Sequence, residues 1–367
     1  MEHSIRFIAL RGHQAGRWYF TVMCKLKHIE KLFDHESQDM LPEHRAQRVL
    51  NKARIPELAR YIVDNPKEYI FSALTVSIGG NVEFEPIGDS QADVNIGHLS
   101  VPLDSDLLIN DGQHRRAAIV EAIRENPDLG EDHISVVFFI DAGLKRSQQM
   151  FADLNRHAIR PTKSIGILYD HRDPLSALAR RVSKDVSFFN TLTEMEKTTI
   201  SNRSSKLFTL SSIYQANKAF LGKAKNDEVS EEETELAIAF WEAVGSNIPE
   251  WKLAKNKEVS CAELRSERIH SHGIALQALA NAGRMLVSGN PEPNIWKSKM
   301  KALRELDWSR SNSSFWEGRA LSSGRVSKSL LNVLLTTVAI KQCLGIELTA
   351  KEQEAEQKRT QERKSRD

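Results

Sequence analysis

Residues 106–120, D-L-L-I-N-D-G-Q-H-R-R-A-A-I-V, constrain this chain more than any other stretch. Leu107, Leu108 and Ile109 form an apolar run of strand length, Asn110, Asp111 and Gly112 are turn formers, and Ala117, Ala118, Ile119 and Ala122 recur at helical spacing. The segment reads as strand, tight turn, helix. The first N–H groups of a helix have no internal partner and lie at the positive end of its dipole, so such a tip suits an anion. Gly112 lets backbone approach a ligand closely, and Arg115 and Arg116 bring planar forks that match phosphate oxygens. Gln113 and His114 add donors or a proton-transfer group, while Asp111 can cap the helix or hold a metal-bound water. A nucleotide or DNA phosphate is the expected guest. The plainer alternative is a helix capped by Asp111 with its arginines in solvent.

Length allows two lobes: 367 residues exceed one ordinary core, and 40% hydrophobic with 27% charged residues describe a globular chain. No run of about 18 apolar residues is present, and the opening M-E-H-S-I-R-F-I-A-L-R-G lacks the apolar core of a secretory leader, so a cytoplasmic location is expected. Cys24, Cys261 and Cys343 are odd in number, far apart and without metal spacing, which predicts reduced structural thiols. The net charge of +2 hides an asymmetry. Residues 61–141 hold 4 Lys and Arg against 15 Asp and Glu, residues 142–210 hold 12 against 6, and residues 261–367 hold 18 against 12. A phosphate polymer is drawn to the last two regions, unless their charges are spread around solvated helices.

In chain order, residues 5–10 and 17–24 read as strands joined across Gly12 to Gly16, and 26–33 and 43–65 as helices. Residues 69–78 and 82–86 read as a strand pair turning at Gly79-Gly80-Asn81, 89–104 as a polar loop or short strands, and 134–141 as a central strand. A helix over 147–155 leads into Asn155, Arg156, His157 and Arg160. Asn155 can offer a hard metal its carbonyl oxygen, and Arg156 and Arg160 can hold phosphate; a helix C-cap followed by a basic loop is the alternative. Beyond residue 164, apolar spacing of three and four predicts helices over 165–169, 175–182, 210–221, 231–244, 269–286, 296–303 and 326–344. Trp308, Phe315 and Trp316 lie among Ser, Asn and Arg; they can stack on bases, though a loop anchored on the core is the favoured reading. From Lys351 the chain is charged and apolar-poor, predicting a frayed or solvated helix. The expected class is α+β, with an α/β-like lobe over 1–163, a helical lobe over 164–350 and a charged tail over 351–367.

The string Asp111-Gly112-Gln113-His114-Arg115 is the D-G-Q-H-R signature of a bacterial family, and three further stretches support the likeness. They are W-Y-F-T-V-M from Trp18, F-A-D-L-N-R-H-A-I-R-P from Phe151 and W-S-R-S-N-S-S-F-W-E-G-R from Trp308. Over nearly its whole length the chain resembles the DndB family of DNA sulfur (phosphorothioate) modification systems. More distantly, the motif looks like the phosphate tip of ParB-type and sulfiredoxin-type mixed-sheet domains. The resemblance implies a regulatory protein similar to a repressor of the modification operon, with double-stranded DNA and other modification proteins as partners.

Two functions follow, with a scaffold that contacts partner modification proteins through the helical lobe as a plainer third. In the first, a DNA-binding regulator holds phosphate or nucleotide through Gly112, Gln113, Arg115, Arg116, Asn155 and Arg156, contacts DNA through Arg160 and Lys163, and forms a homo-oligomer. No clean helix-turn-helix is present. In the second, an enzyme uses ATP and Mg²⁺ for hydrolysis, or acts on DNA as a nuclease or nickase. Asp111 and Asn155 then position metal, and Asp111 and His114 are the catalytic pair. A P-loop is excluded, because G-x-x-x-x-G-K-[ST] is absent.

Overall fold

The computed structural model describes residues 4–33, 52–79, 82–91, 93–102, 105–140, 149–150, 153–154 and 161–364. The chain divides into two compact units, Met1–Ile159 and Arg160–Asp367.

The first unit is built on seven strands: β1 (Ser4–Gln14), β2 (Arg17–Lys25), β3 (Leu74–Gly79), β4 (Glu83–Pro86), β5 (Ile96–Pro102), β6 (Asp106–Asp111) and β7 (His133–Ile140). Their order is β4-β5-β1-β2-β7-β3-β6, antiparallel except where β3 runs parallel to β7. The expected β1–β2 hairpin forms, with Gln14 opposite Arg17 and a two-residue turn in which Ala15 and Gly16 both take positive φ. That turn has the handedness that matches strand twist. One face of the sheet buries Ala9, Val22, Val76 and Phe138 beneath α1 (Leu26–Leu32), α2 (Ile55–Asp64) and α3 (Gln113–Glu125), which contribute Ile29, Ile62 and Ile119. The other face leaves Ile8, Leu10 and Met23 exposed.

The expected pairing of 69–78 with 82–86 is not found. β3 begins only at Leu74 and lies between β7 and β6, where Leu74, Val76, Ser77 and Ile78 are all buried. β4 keeps its two glutamates exposed at the far edge, beside β5. An uncharged strand with one apolar face and a small, partly buried second face (Thr75, Ser77, Gly79) suits the inside of a sheet, and a charged one belongs at its rim. Of the two readings of 89–104, a polar loop or short strands, the strand is found: it contains β5, whose Gly97, Leu99 and Val101 turn inward in strict alternation. Of the helix expected over 43–65, the described part is α2; residues 43–51 lie outside the described residues.

The second unit is mostly helical: α4 (Lys163–Tyr169), α5 (Pro174–Asp185), α6 (Leu210–Leu221), α7 (Glu231–Ser246), α8 (Pro249–Lys255), α9 (Cys261–Glu267), α10 (Gly273–Gly289), α11 (Pro293–Lys299), α12 (Ser313–Trp316), α13 (Leu330–Cys343) and α14 (Ala350–Lys364). Helix α10 is central. It buries residues around most of its circumference, and Gly283 lies so close to Phe240 that an added Cβ would meet the ring at 2.1 Å. Trp241, Trp251, Trp296 and Trp316 are fully buried around it. Helix α7 opens with the reciprocal Ser230–Glu233 capping box, and Asp173 caps α5 ahead of Pro174. The expected helix over 269–286 starts instead at Gly273, because His272 is extended.

Base stacking by the Trp308 segment is ruled out by burial. Trp308 and Trp316 stack on each other at 5.5 Å, and their indole N–H groups donate to the carbonyls of Leu303 and Asp307. The described part of the tail is the expected, mostly exposed helix, and it is also docked, α14 being held through Glu352 and Glu356. Cys24, Cys261 and Cys343 are free thiols, with Cys24 pushed up to about 11 by burial and so protonated at neutral pH.

Candidate functional site

The strand-turn-helix of the motif forms as expected. β6 ends at Asp111, Gly112 takes φ +104°, and α3 begins at Gln113. Glycine is required twice, because a Cβ here would also meet Leu74 Cδ2 at 2.5 Å. Asp111 is not the helix cap; Gly112 holds that position and no side chain caps the helix. Instead, Asp111 accepts from Arg115 Nη2 one turn on.

Arg115 points into the fold. Its Nη1 donates to the carbonyls of Ser72 (2.6 Å) and Ala73 (2.8 Å) and to the Ser72 hydroxyl, clamping the lead-in of β3 to the motif. Gln113 Nε2 donates back to the Ile109 carbonyl at 2.7 Å, and Arg116 Nη2 to that of Phe33 at 3.1 Å. Burial and the Arg54 charge hold the His114 imidazole below its usual range, so it is neutral at pH 7. What the motif leaves for an anion is the first-turn backbone and part of the Arg116 guanidinium, whose buried Nε has no hydrogen-bond partner among the described residues, since the Arg115 guanidinium is engaged on both sides. Asn155, Arg156 and Arg160 lie outside the described residues. Of the expected Mg²⁺ ligands, Asp111 is bonded to the Arg115 guanidinium and Asn155 lies outside the described residues.

A second site lies in the helical unit and, apart from Lys163, was not found from sequence. Three cavities of about 390, 760 and 880 Å³ share lining residues, Asn202 and Ala262 between the first two and Thr198, Ser212, His272 and Gly273 between the last two. They adjoin one another through these residues, and we term the row of three the groove. Arg203, Lys255 and Lys257 line one end, Arg265 and Arg310 the middle, and Lys163, Lys218, Lys225 and Lys328 the other end. Three carboxylates share these walls: Glu263, Asp170 and Asp173. Arg265 and Arg310 are fixed by carbonyls rather than acids, Arg265 donating to Ser201 and Ser204 and Arg310 to Ser266 and Gly324. Their charge is oriented without being neutralised. Of the expected DNA contacts, Lys163 is a wall of this groove. Besides Lys163, the sequence signal for it was the charge excess of 142–210 and 261–367, which leaves out Lys218, Lys225, Lys255 and Lys257.

His272, at the junction of the two larger cavities, has an extended backbone and donates Nε2–H to the Arg265 carbonyl at 2.9 Å. Burial pushes its imidazole down to about 4, so it stays neutral. A histidine depressed from 6.5 stabilises the fold fully above pH 6.5, and that stability is lost as the pH falls toward 4. Between pH 7.5 and 4.5 the loss is on the order of 2–3 kcal/mol. Guanidinium unfolding of wild type and His272→Gln at both pH values checks this: the drop in stability on acidification is smaller in the variant, and equal drops refute it.

A family model described as DndB, DNA-sulfur modification-associated, matches residues 7–347. The chain belongs to the DndB family, and its role lies in a DNA sulfur modification system, together with DNA and the other proteins of that system. No curated protein and no solved structure matches it, so the likeness to ParB-type and sulfiredoxin-type domains has no matched structure behind it. No helix among the described residues is long and apolar enough to cross a membrane.

Proposed function

We propose that the protein is a DNA-binding regulator of the modification operon, and that the helical unit's groove holds the duplex backbone. The carrying observation is the charge balance of the groove wall, in which nine Lys and Arg side chains face three carboxylates. Two of those carboxylates, Asp170 and Asp173, accept backbone N–H bonds that shape the loop before α5. Phosphate contact of this kind supplies affinity and positions the duplex, and it weakens steeply with salt.

Gel-shift or anisotropy titrations with operon promoter DNA and unrelated DNA test the proposal across a salt series. If about five phosphates are neutralised, log K falls with log salt at a slope near −4 to −5. The triple variant Arg203→Ala/Lys255→Ala/Lys257→Ala is expected to lose up to about three units of that slope and bind at least about tenfold more weakly. Salt-insensitive binding, or none, overturns the proposal. Preference for promoter DNA supports the regulatory role, and equal affinity for both DNAs removes it. The enzymatic alternative, ATP hydrolysis or strand cleavage at Asp111 and His114, has less behind it, because the Asp111 carboxylate is paired with Arg115.

A further inference from the structure

The Lys163 end of the groove differs from the rest. Its cavity, about 880 Å³, is of the size that holds a small ligand. Lys163, Lys218, Lys225 and Lys328 converge on it from α4, α6, the loop after α6 and the segment before α13. None of these four ammonium groups makes an ion pair or a side-chain hydrogen bond with another described residue. Neither acid of the same wall forms an ion pair with them, and the wall keeps a net charge of +2, four lysines against two aspartates. Asp173 accepts from Leu175 N, Ser176 Oγ and Asn226 N, and Asp170 accepts from Arg172 N and Asp173 N. Lys328 is held below the ordinary lysine range by burial and by the Lys163 charge. Four like charges around one space repel one another, and an anion between them removes that cost. Apolar Ile167, Ile274 and Val326 line the cavity as well, a surface that suits a ring rather than a bare ion. Gly273 keeps the wall open, since a Cβ there would crowd Ser212 Oγ at 2.6 Å and come within 3.5 Å of Lys328 Nζ.

We propose that this cavity of the helical unit binds a small polyphosphate with the charge and size of a nucleoside di- or triphosphate, at a place separate from the strand-to-helix motif. The four lysines take the phosphates and the apolar wall takes the base. If DNA uses the same groove, as proposed above, the two ligands draw on the same cations and compete.

Titration calorimetry on the full chain, without DNA, tests the site itself, using ATP, inorganic triphosphate and adenosine as separate probes. ATP and triphosphate are expected to bind, ATP the tighter of the two, and adenosine not measurably. Lys163→Gln/Lys328→Gln is expected to weaken ATP by at least about tenfold, while Arg203→Ala/Lys257→Ala leaves it unchanged. Because Lys163→Gln/Lys328→Gln relieves repulsion, it should unfold no earlier than wild type. If it does unfold earlier, Lys218→Gln/Lys225→Gln takes its place, with the same loss expected. Absence of ATP binding overturns the inference, as does binding that survives the lysine variants, which would locate the nucleotide elsewhere. Neither outcome touches the DNA reading, which is measured without nucleotide. Displacement of DNA by ATP in wild type alone would support the competition, and simultaneous binding would refute it.

Discussion

Replacing Lys341 by methionine should cost the helical unit about 3–5 kcal/mol, whereas replacing Lys341 and Glu352 together should recover most of that loss. Lys341 Nζ donates to both oxygens of Glu352, at 2.7 and 2.9 Å, and the side chains are 3% and 9% exposed. Burial alone would raise the Glu352 carboxyl; Lys341, with the N–H and hydroxyl of Thr349, turns that into a net lowering. Removing one partner leaves a desolvated carboxylate with its charge unanswered, and removing both leaves an apolar contact. The effect should appear in α14, because that helix has almost no apolar face of its own and an isolated helix of fifteen residues is marginal in water. Its second anchor, Arg319 to Glu356 at 2.7 Å with Arg359 alongside, is part-buried as well. Denaturant unfolding, with limited proteolysis read within 350–364, measures both consequences. A single variant that loses less than about 1 kcal/mol would show the pair to be an ordinary surface contact.

The difference between what was legible in the sequence and what was not follows the range of the interactions involved. Helix α6 was expected over 210–221 and spans Leu210–Leu221, because apolar spacing and the Thr209 cap are local signals. The strand-turn-helix of the motif was readable for the same reason, with Gly112 marking a backbone that only glycine adopts easily. Strand pairing was not readable. Gly79-Gly80-Asn81 has the composition of a hairpin turn, yet β3 pairs with β6 and β7 while β4 lies at the opposite edge, a choice made by burial of β3 on both faces. The charged tail was legible as a solvated helix, but its composition gave no sign that Lys341 and Arg319 wait in the core for two of its glutamates. The groove was legible only at Lys163 and as a regional charge excess. Arg203, Arg265, Arg310 and Lys328 lie far apart in the chain and are brought to one wall by the packing around α10.

The same limit applies to the motif's arginine, and it carries the second large effect. In sequence, Arg115 is a phosphate fork; in the structure it is a clamp whose acceptors at Ser72 and Ala73 lie more than forty residues away. Arg115→Ala should therefore destabilise the first unit by about 2–4 kcal/mol, since it deserts two carbonyls and the Asp111 carboxylate at once. Arg115→Lys separates the two roles. A lysine keeps the charge that a phosphate would feel, but its single ammonium cannot span a carboxylate on one side and two carbonyls on the other. If the clamp is what Arg115 supplies, the lysine variant loses nearly as much stability as the alanine variant, and any fall in DNA or nucleotide affinity tracks the fraction unfolded. If Arg115 instead holds phosphate, both variants unfold with the wild type while affinity drops for alanine and is largely kept by lysine. Stability and affinity measured on the same two proteins decide between these outcomes. The clamp predicts the first, because a guanidinium already bonded on both sides has few N–H groups left to give a ligand.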